Sequence, residues 1–332
     1  MKIGMLFPGY GSQFVGMGKD LYDNSRIIQE YYEEASNCLG INFVKLCFAS
    51  SDAELTKIAH AYPSLFLVGA STASLVKEIC DSFGARISYT AGYGVGEYSA
   101  LYTGQVLSFP DGLYLLGKLS LFYDTMREQL DAKSVIVNGL SGKKLKEICE
   151  EQSSKDACAH IAIYENKNDH VVTGQTDVVD AVAEGASDAG AQKVKEIESA
   201  EGFHTPLLND LAEQLKIYLT KVDFKDPQIP LIMSINGKET CRAKKAQDAV
   251  MRQIVEPVNW TSVLKQCSDA DLIIIPAPSK ALVGEVAAYY PQKTVIGIET
   301  MADIEALKAF LKERLVEEEV LVPLEQMVQL EA

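Results

Sequence analysis

Apolar and polar positions along this chain fall into blocks of two periods. KIGMLFP at residues 2–8 and DLIIIPA at 271–277 are apolar almost without a break over strand length, which predicts strands buried on both faces. RISYTAGY at 86–93 reads as a third strand, and VGEYSALYTG directly after it as a helix. Helical spacing recurs around 18–38, 52–60 and 63–80, the last opened by Tyr62-Pro63-Ser64 with proline at a helix start. A further helix is predicted over 110–130 from Pro110 onward.

From 133 to 198 the rhythm changes. KSVIVNGL, CAHIAIYE, HVVTGQ and AQKVKEIE read as strands, with KKLKEICEEQ and TDVVDAVAEGASDAG as helices. The order β-α-β-β-α-β is that of a ferredoxin-like unit. It predicts a compact subdomain, a four-stranded antiparallel sheet of its own, inserted into a larger α/β fold. That fold resumes with a helix over 205–220, a strand near 229–234, helices around 243–267, the strand at 271–277 and a last helix from about 302.

The strand-turn-helix around TAGYGVGEYSAL has the form of a nucleophile elbow, G-x-S-x-G, with Gly94 where the attacking serine would stand. Glycine accepts the strained turn of an elbow more easily than serine does, so the turn is expected to survive the exchange.

Composition narrows the chemistry. A net charge of −15 disfavours nucleic acid and anionic membrane surfaces as partners. The local basic cluster Lys238, Arg242, Lys244 and Lys245 and the charged stretch KKLKEICEEQSSK read as solvated faces. Seven scattered cysteines without C-x-x-C, and four histidines without ligand spacing, point away from a disulfide framework or a metal site. No cofactor is implied. GYGSQ lacks the lysine and spacing of a phosphate loop. The N-terminus has too short an apolar run for a signal peptide and no run approaches the roughly 20 residues of a membrane span, so a cytoplasmic protein is expected.

Six blocks in order resemble the malonyl-CoA:acyl carrier protein transacylases of fatty-acid synthesis and the acyltransferase domains of polyketide synthases. FPGYGSQFVGMG matches FPGQGSQ-x-x-GMG, AYPSLF matches TQPALF, and GYGVGEYSAL matches GHSLGEYSAL. GFHTPLL matches F-H-[ST]-P-L-M, QIVEPVNW matches Q-L-x-x-P-V-x-W, and APSKAL matches GPGKVL. The resemblance implies an α/β-hydrolase-like core with a parallel sheet, made of 1–130 and 199–320, a ferredoxin-like subdomain at 131–198 and a C-terminal tail at 321–332. In that family the elbow serine attacks the malonyl-CoA thioester, a histidine is its base, and the carrier protein's phosphopantetheine thiol then takes the acyl group. An arginine pairs with the malonyl carboxylate.

Position by position, the resemblance makes His204 the base and Gln253 the residue whose backbone steadies it. Val95 takes the position whose N–H faces the oxyanion, and Asn166 that of a cleft asparagine. The departures gather at the chemistry. Gly94 replaces the serine, Tyr93 the histidine before it, Tyr10 the glutamine that supports the oxyanion loop, and Leu119 the carboxylate-binding arginine. Arg127 follows outside the pattern. Ser99 lies about 7.5 Å of helical rise beyond Gly94, and Ser12 is a substitute nucleophile by proximity alone. The reading is a transacylase-fold protein with a degenerate site. It binds acyl-CoA, a carrier protein or an active paralogue. Two other readings stay open: a transferase with an unrecognised nucleophile, and a thioester hydrolase in which His204 activates water.

Overall fold

The computed structural model describes residues 1–197 and 202–320, with side chains as far as Arg314. Strand β1 (Ile3–Phe7) leads into helices α1 (Lys19–Asn24), α2 (Arg26–Leu39), α3 (Phe43–Ala49), α4 (Asp52–Thr56) and α5 (Ile58–Ser82). Strand β2 (Ile87–Gly92), α6 (Gly96–Thr103) and α7 (Phe109–Arg127) follow. The middle of the chain gives β3 (Lys133–Asn138), α8 (Gly142–Gln152), β4 (Ala159–Tyr164), β5 (Asp169–Gly174), α9 (Thr176–Asp188) and β6 (Lys193–Glu196). Then come α10 (Asn209–Leu219), β7 (Leu231–Ile232), β8 (Glu239–Thr240), α11 (Ala243–Val255), β9 (Val258–Asn259) and α12 (Trp260–Gln266). Strand β10 (Leu272–Pro276), α13 (Lys280–Tyr289), β11 (Thr294–Ile298) and α14 (Met301–Val320) close the chain. The expected tail at 321–332 lies outside the described residues.

The first sheet has the order β11-β10-β1-β2-β7-β8, parallel throughout except for the β7–β8 pair. Its centre explains the unbroken apolar runs. Ile3, Met5 and Phe7 enter one hydrophobic cluster and Leu6 the other, while Leu272 and Ile274 face one side and Ile273 and Ile275 the opposite side. Both faces are covered, so no polar alternation is possible. The elbow lies at the carboxyl end of β2, where open α/β sheets place their ligand crevice.

Two sequence expectations need correction here. Pro63 does not open a helix: α5 starts at Ile58 and carries Pro63 in its second turn. Every residue from Ala61 to Ala73 is buried, and packing on that scale outweighs the roughly 3 kcal/mol that an interior proline costs. Helices α3 and α13 and strand β11 were not anticipated. Strand β11 is only half-buried along most of its length, so it lacks the continuous apolar signal of its neighbour β10.

The second sheet has the order β6-β3-β5-β4-β9. Its first four strands are antiparallel, as the β-α-β-β-α-β pattern predicts. It is distinct from the first sheet, as expected, but has five strands rather than four. The short β9, from the chain after His204, pairs in parallel with β4 through Ile163↔Val258 and Tyr164↔Asn259. This covers an edge that would otherwise expose unpaired backbone groups. One face of the sheet, including Val135, Val137, Ile161 and Val172, packs with side chains of α8 and α9. The other face is left to wall a cleft.

Candidate active site

Gly94 turns the chain between β2 and α6 at φ +54°, a left-handed conformation that glycine adopts without a Cβ penalty. The turn is closed by Gly96 N–H to the Tyr93 carbonyl at 3.0 Å and Glu97 N–H to the Gly94 carbonyl at 3.0 Å. The expected elbow is therefore present. Its flanking glycines serve a different purpose. A Cβ on Gly92 would sit 2.1 Å from the Glu97 nitrogen, and one on Gly96 2.5 Å from the Pro8 carbonyl oxygen. At Gly94 a Cβ would meet only His204 Nε2, at 3.6 Å.

His204 itself has φ +64°, held there by its N–H donating to the Ile254 carbonyl at 2.8 Å. Its Nδ1 lies 2.6 Å from the Gln253 carbonyl oxygen. A carbonyl only accepts, so Nδ1 carries the proton and Nε2 is left as an acceptor beside the elbow. Desolvation pushes the imidazole down to about 4, against the opposing pull of the Gln253 carbonyl. The ring is neutral at pH 7.

Behind this pair lies a network that the sequence did not reveal. The Gln253 side-chain amide donates to Glu97 and, at 2.6 Å, to Ser234, whose hydroxyl also donates to Glu97. Glu97 is 0% exposed, and burial pushes its carboxyl up to about 7. The helix that follows the elbow thus braces the residue that braces the histidine. A charged residue in the otherwise buried run GVGEYSAL was the available signal.

A cavity of about 390 Å³ lies between the elbow and the free face of the second sheet. Gly94, Val95 and His204 line one side, Ile136, Ala162, Val171 and Thr173 the other, and Tyr10 and Tyr93 also border it. The Val95 N–H makes no hydrogen bond among the described residues. Tyr10 donates its hydroxyl to the Thr56 carbonyl at 2.9 Å, and its ring meets that of Tyr62 at 5.9 Å. Tyr93 donates to Glu165 Oε1 at 3.0 Å and packs edge-on against Trp260.

Leu119 and Asn166, both expected at the substrate, do not line this cavity. Leu119 is buried behind His204 in a space of only about 10 Å³, shared with Tyr62, Tyr98 and Phe203. The space around it is filled: Phe203 packs against Tyr62 at 5.5 Å and Tyr123 at 4.8 Å between ring centroids. Tyr62 was not singled out in the sequence; the available signal was its place at the glutamine of TQPALF. Asn166 is absorbed by its own hairpin, where its Oδ1 accepts from the N–H groups of Asn168 and Asp169 and its amide donates to Asp169 at 2.8 Å. The side chain that enters the cleft is its neighbour Glu165.

No substitute nucleophile is paired with the base. Among the described residues no serine, threonine or cysteine side chain is hydrogen-bonded to His204. Ser12 donates to the Gly9 carbonyl at 2.7 Å, and Ser99 is buried against Gly69, where a Cβ would come within 2.8 Å of its hydroxyl. Nor does a basic side chain replace the arginine among the described lining residues. Lys118 lies over the rings of Tyr114 and Tyr218, and Arg127 borders a different, more open cavity. No group of acidic, histidine or cysteine side chains among the described residues could hold a metal, and no described helix is long and apolar enough to cross a membrane.

Residues 5–303 match the family described as acyl transferase domain. The malonyl CoA-acyl carrier protein transacylase of Bacillus subtilis (strain 168) is 28% identical over 314 residues, covering 94% of this chain and 98% of that protein. The crystal structure of malonyl CoA-acyl carrier protein transacylase from Clostridium perfringens Atcc 13124 superposes with a TM-score of 0.87 at 26% identity, covering 96% of this chain and all of that one (100%). A malonyl-transacylase solved in complex with its type II PKS acyl-carrier protein shares the fold, with a TM-score of 0.84 at 22% identity over 91% of this chain and 97% of its own.

Proposed function

The chain belongs to the acyl transferase domain family, and from that premise we propose that it binds acyl-CoA or an acylated carrier protein with its own transfer step lost or strongly impaired. It resembles the malonyl-CoA:acyl carrier protein transacylases of fatty-acid or polyketide synthesis. The observation that carries the reading is the vacancy at Gly94. The imidazole Nε2 lies 3.6 Å from where a side chain would begin, and glycine supplies no alcohol there. Removing the serine of a catalytic triad in an unrelated enzyme costs roughly a million-fold, so a site lacking it keeps little more than binding. An intact scaffold with a cleft fits a protein that holds a thioester or a carrier protein, or that accompanies an active paralogue.

One observation favours a second reading. His204 is neutral and presents an unpaired Nε2 to the space beside Gly94, where a water molecule fits the chemistry. Water oxygen would attack the thioester carbonyl carbon and give its proton to Nε2. The imidazolium would then protonate the departing thiolate, leaving a free acid and a thiol. A base whose conjugate acid titrates at about 4 is poorly matched to neutral pH, which makes this path slow.

Incubation with labelled malonyl-CoA, followed by intact-mass analysis of the protein and separation of the label, distinguishes the readings. The expected result is no adduct and no free malonate, with binding of a CoA thioester seen by calorimetry. A stable adduct means a nucleophile elsewhere and sinks the proposal. Released acid means hydrolysis.

A further inference from the structure

The cavity beside the elbow holds one carboxylate and, among its described lining residues, no lysine or arginine. That carboxylate is Glu165, at the end of β4, tied to the elbow because Tyr93, the residue before Gly94, donates to its Oε1 at 3.0 Å. Its Oε2 has no hydrogen-bond partner among the described residues, and no salt bridge among them involves Glu165. The room behind His204, where an acyl group could otherwise extend, is filled by Leu119 and the aromatic rings around it. A ligand that approaches the elbow therefore has the cavity beside it, and meets Glu165 there.

We propose that this cleft takes a thioester whose acyl chain ends in a protonated amine, held by the Glu165 carboxylate, and that it rejects malonyl. The proposal rests on the binding reading above. The groups facing Glu165 make the cation the missing element. Tyr93 gives one hydrogen bond and Asp169 adds negative charge, while Glu285, its carboxyl pushed up to about 8, stays largely protonated at neutral pH. Desolvation raises the Glu165 carboxyl, with the Tyr93 hydroxyl opposing and Asp169 reinforcing. A desolvated carboxylate with a neighbour of its own sign gains most from an ammonium partner. A malonyl carboxylate at the same place would add a further like charge with nothing to neutralise it. The walls opposite, Ile136, Ala162 and Val171, suit the methylene chain.

Three CoA thioesters of similar length test this: β-alanyl-CoA with a terminal ammonium, butyryl-CoA with a neutral end, and malonyl-CoA. Calorimetry with the full chain should give affinities in that order, with β-alanyl-CoA at least about tenfold tighter than malonyl-CoA at low ionic strength. Glu165→Gln keeps the shape and the oxygen that accepts from Tyr93, and should bring the three within about threefold of one another. Its unfolding midpoint, measured beside wild type, shows whether it folds. Malonyl-CoA binding as tightly as β-alanyl-CoA overturns the proposal alone. So does an amine preference that survives Glu165→Gln. If none of the thioesters binds, the binding reading falls and the amine assignment with it.

Discussion

The two halves of the site differ in what they are attached to. The base half, His204 with Gln253, is anchored by Glu97 and Ser234 in a network sealed inside the core. The nucleophile and acyl half, Gly94 with Tyr62 and Leu119, makes contacts that side chains of other shapes can replace. Losing a member of the first half strands buried polar partners, at about 1–3 kcal/mol for each group left unsatisfied. A glycine at position 94 leaves only His204 Nε2 without a partner, and His204 lines the open cavity, so no sealed polar group is stranded. Retention of the histidine is thus weak testimony to activity, because folding alone would keep it.

The largest effect should come from rebuilding the nucleophile half. Gly94→Ser places an alcohol next to His204 Nε2, and slow acyl-enzyme formation should appear where wild type shows none. Each absent clamp or oxyanion contact is worth about a hundred-fold in rate. Adding Leu119→Arg together with Tyr62→Gln, which opens the filled acyl end for it, should therefore raise malonyl loading by roughly a hundred-fold over the single variant. Tyr10→Gln should add a further step. Intact-mass time courses measure all of these. Wild type loading as fast as Gly94→Ser would mean that both halves are still working.

The base half can be probed through its buried carboxyl. The folded state holds Glu97 at about 7, above its ordinary value of 4.5, so it keeps a proton that the unfolded chain gives up. Its stabilising share is full below pH 4.5 and is lost as pH rises through 7, a change of about 3 kcal/mol. Glu97→Gln preserves the shape without the titration. Urea unfolding at pH 5 and pH 8 should show the variant gaining on wild type by about that amount at the higher pH. A difference independent of pH would mean that Glu97 is not held as described, and the contrast between the halves would lose its physical basis.

How far this division could be read beforehand depended on the range of the interactions. The core strands β1 and β10 were legible because burial on two faces writes an unbroken apolar run. The elbow was legible from local turn chemistry, and Gly94, His204 and Gln253 from blocks with fixed spacing. The Glu97–Ser234 bond spans 137 positions and leaves no periodic trace. Leu119 was correctly seen as uncharged, yet the filling of the space around it depends on Tyr62, Tyr98, Tyr123 and Phe203 converging from four segments. Asn166 was read as a cleft residue because an asparagine fits a family pattern, and Glu165 was not singled out. The hairpin uses that asparagine's donors and acceptors for its own turn, which turns the preceding residue into the cleft.

The smallest effect is the sharpest test of why the serine position could be vacated. Gly94→Ala should lower stability by no more than about 1.6 kcal/mol. A non-glycine residue in the left-handed region pays about 1–2 kcal/mol, and the lower entropy of the unfolded chain offsets about 0.4–1 of it. The new methyl would meet His204 Nε2 at 3.6 Å, an ordinary contact. Gly92→Ala, two residues earlier in the same turn, is the control. Its methyl would lie 2.1 Å from backbone atoms of Gly96 and Glu97, which cannot retreat without moving the helix, so a loss on the order of 3 kcal/mol is expected. Urea titrations of the two variants give both numbers. Equal losses would show that position 94 is as constrained as its frame, and the absence of serine would then need a cause other than freedom from packing.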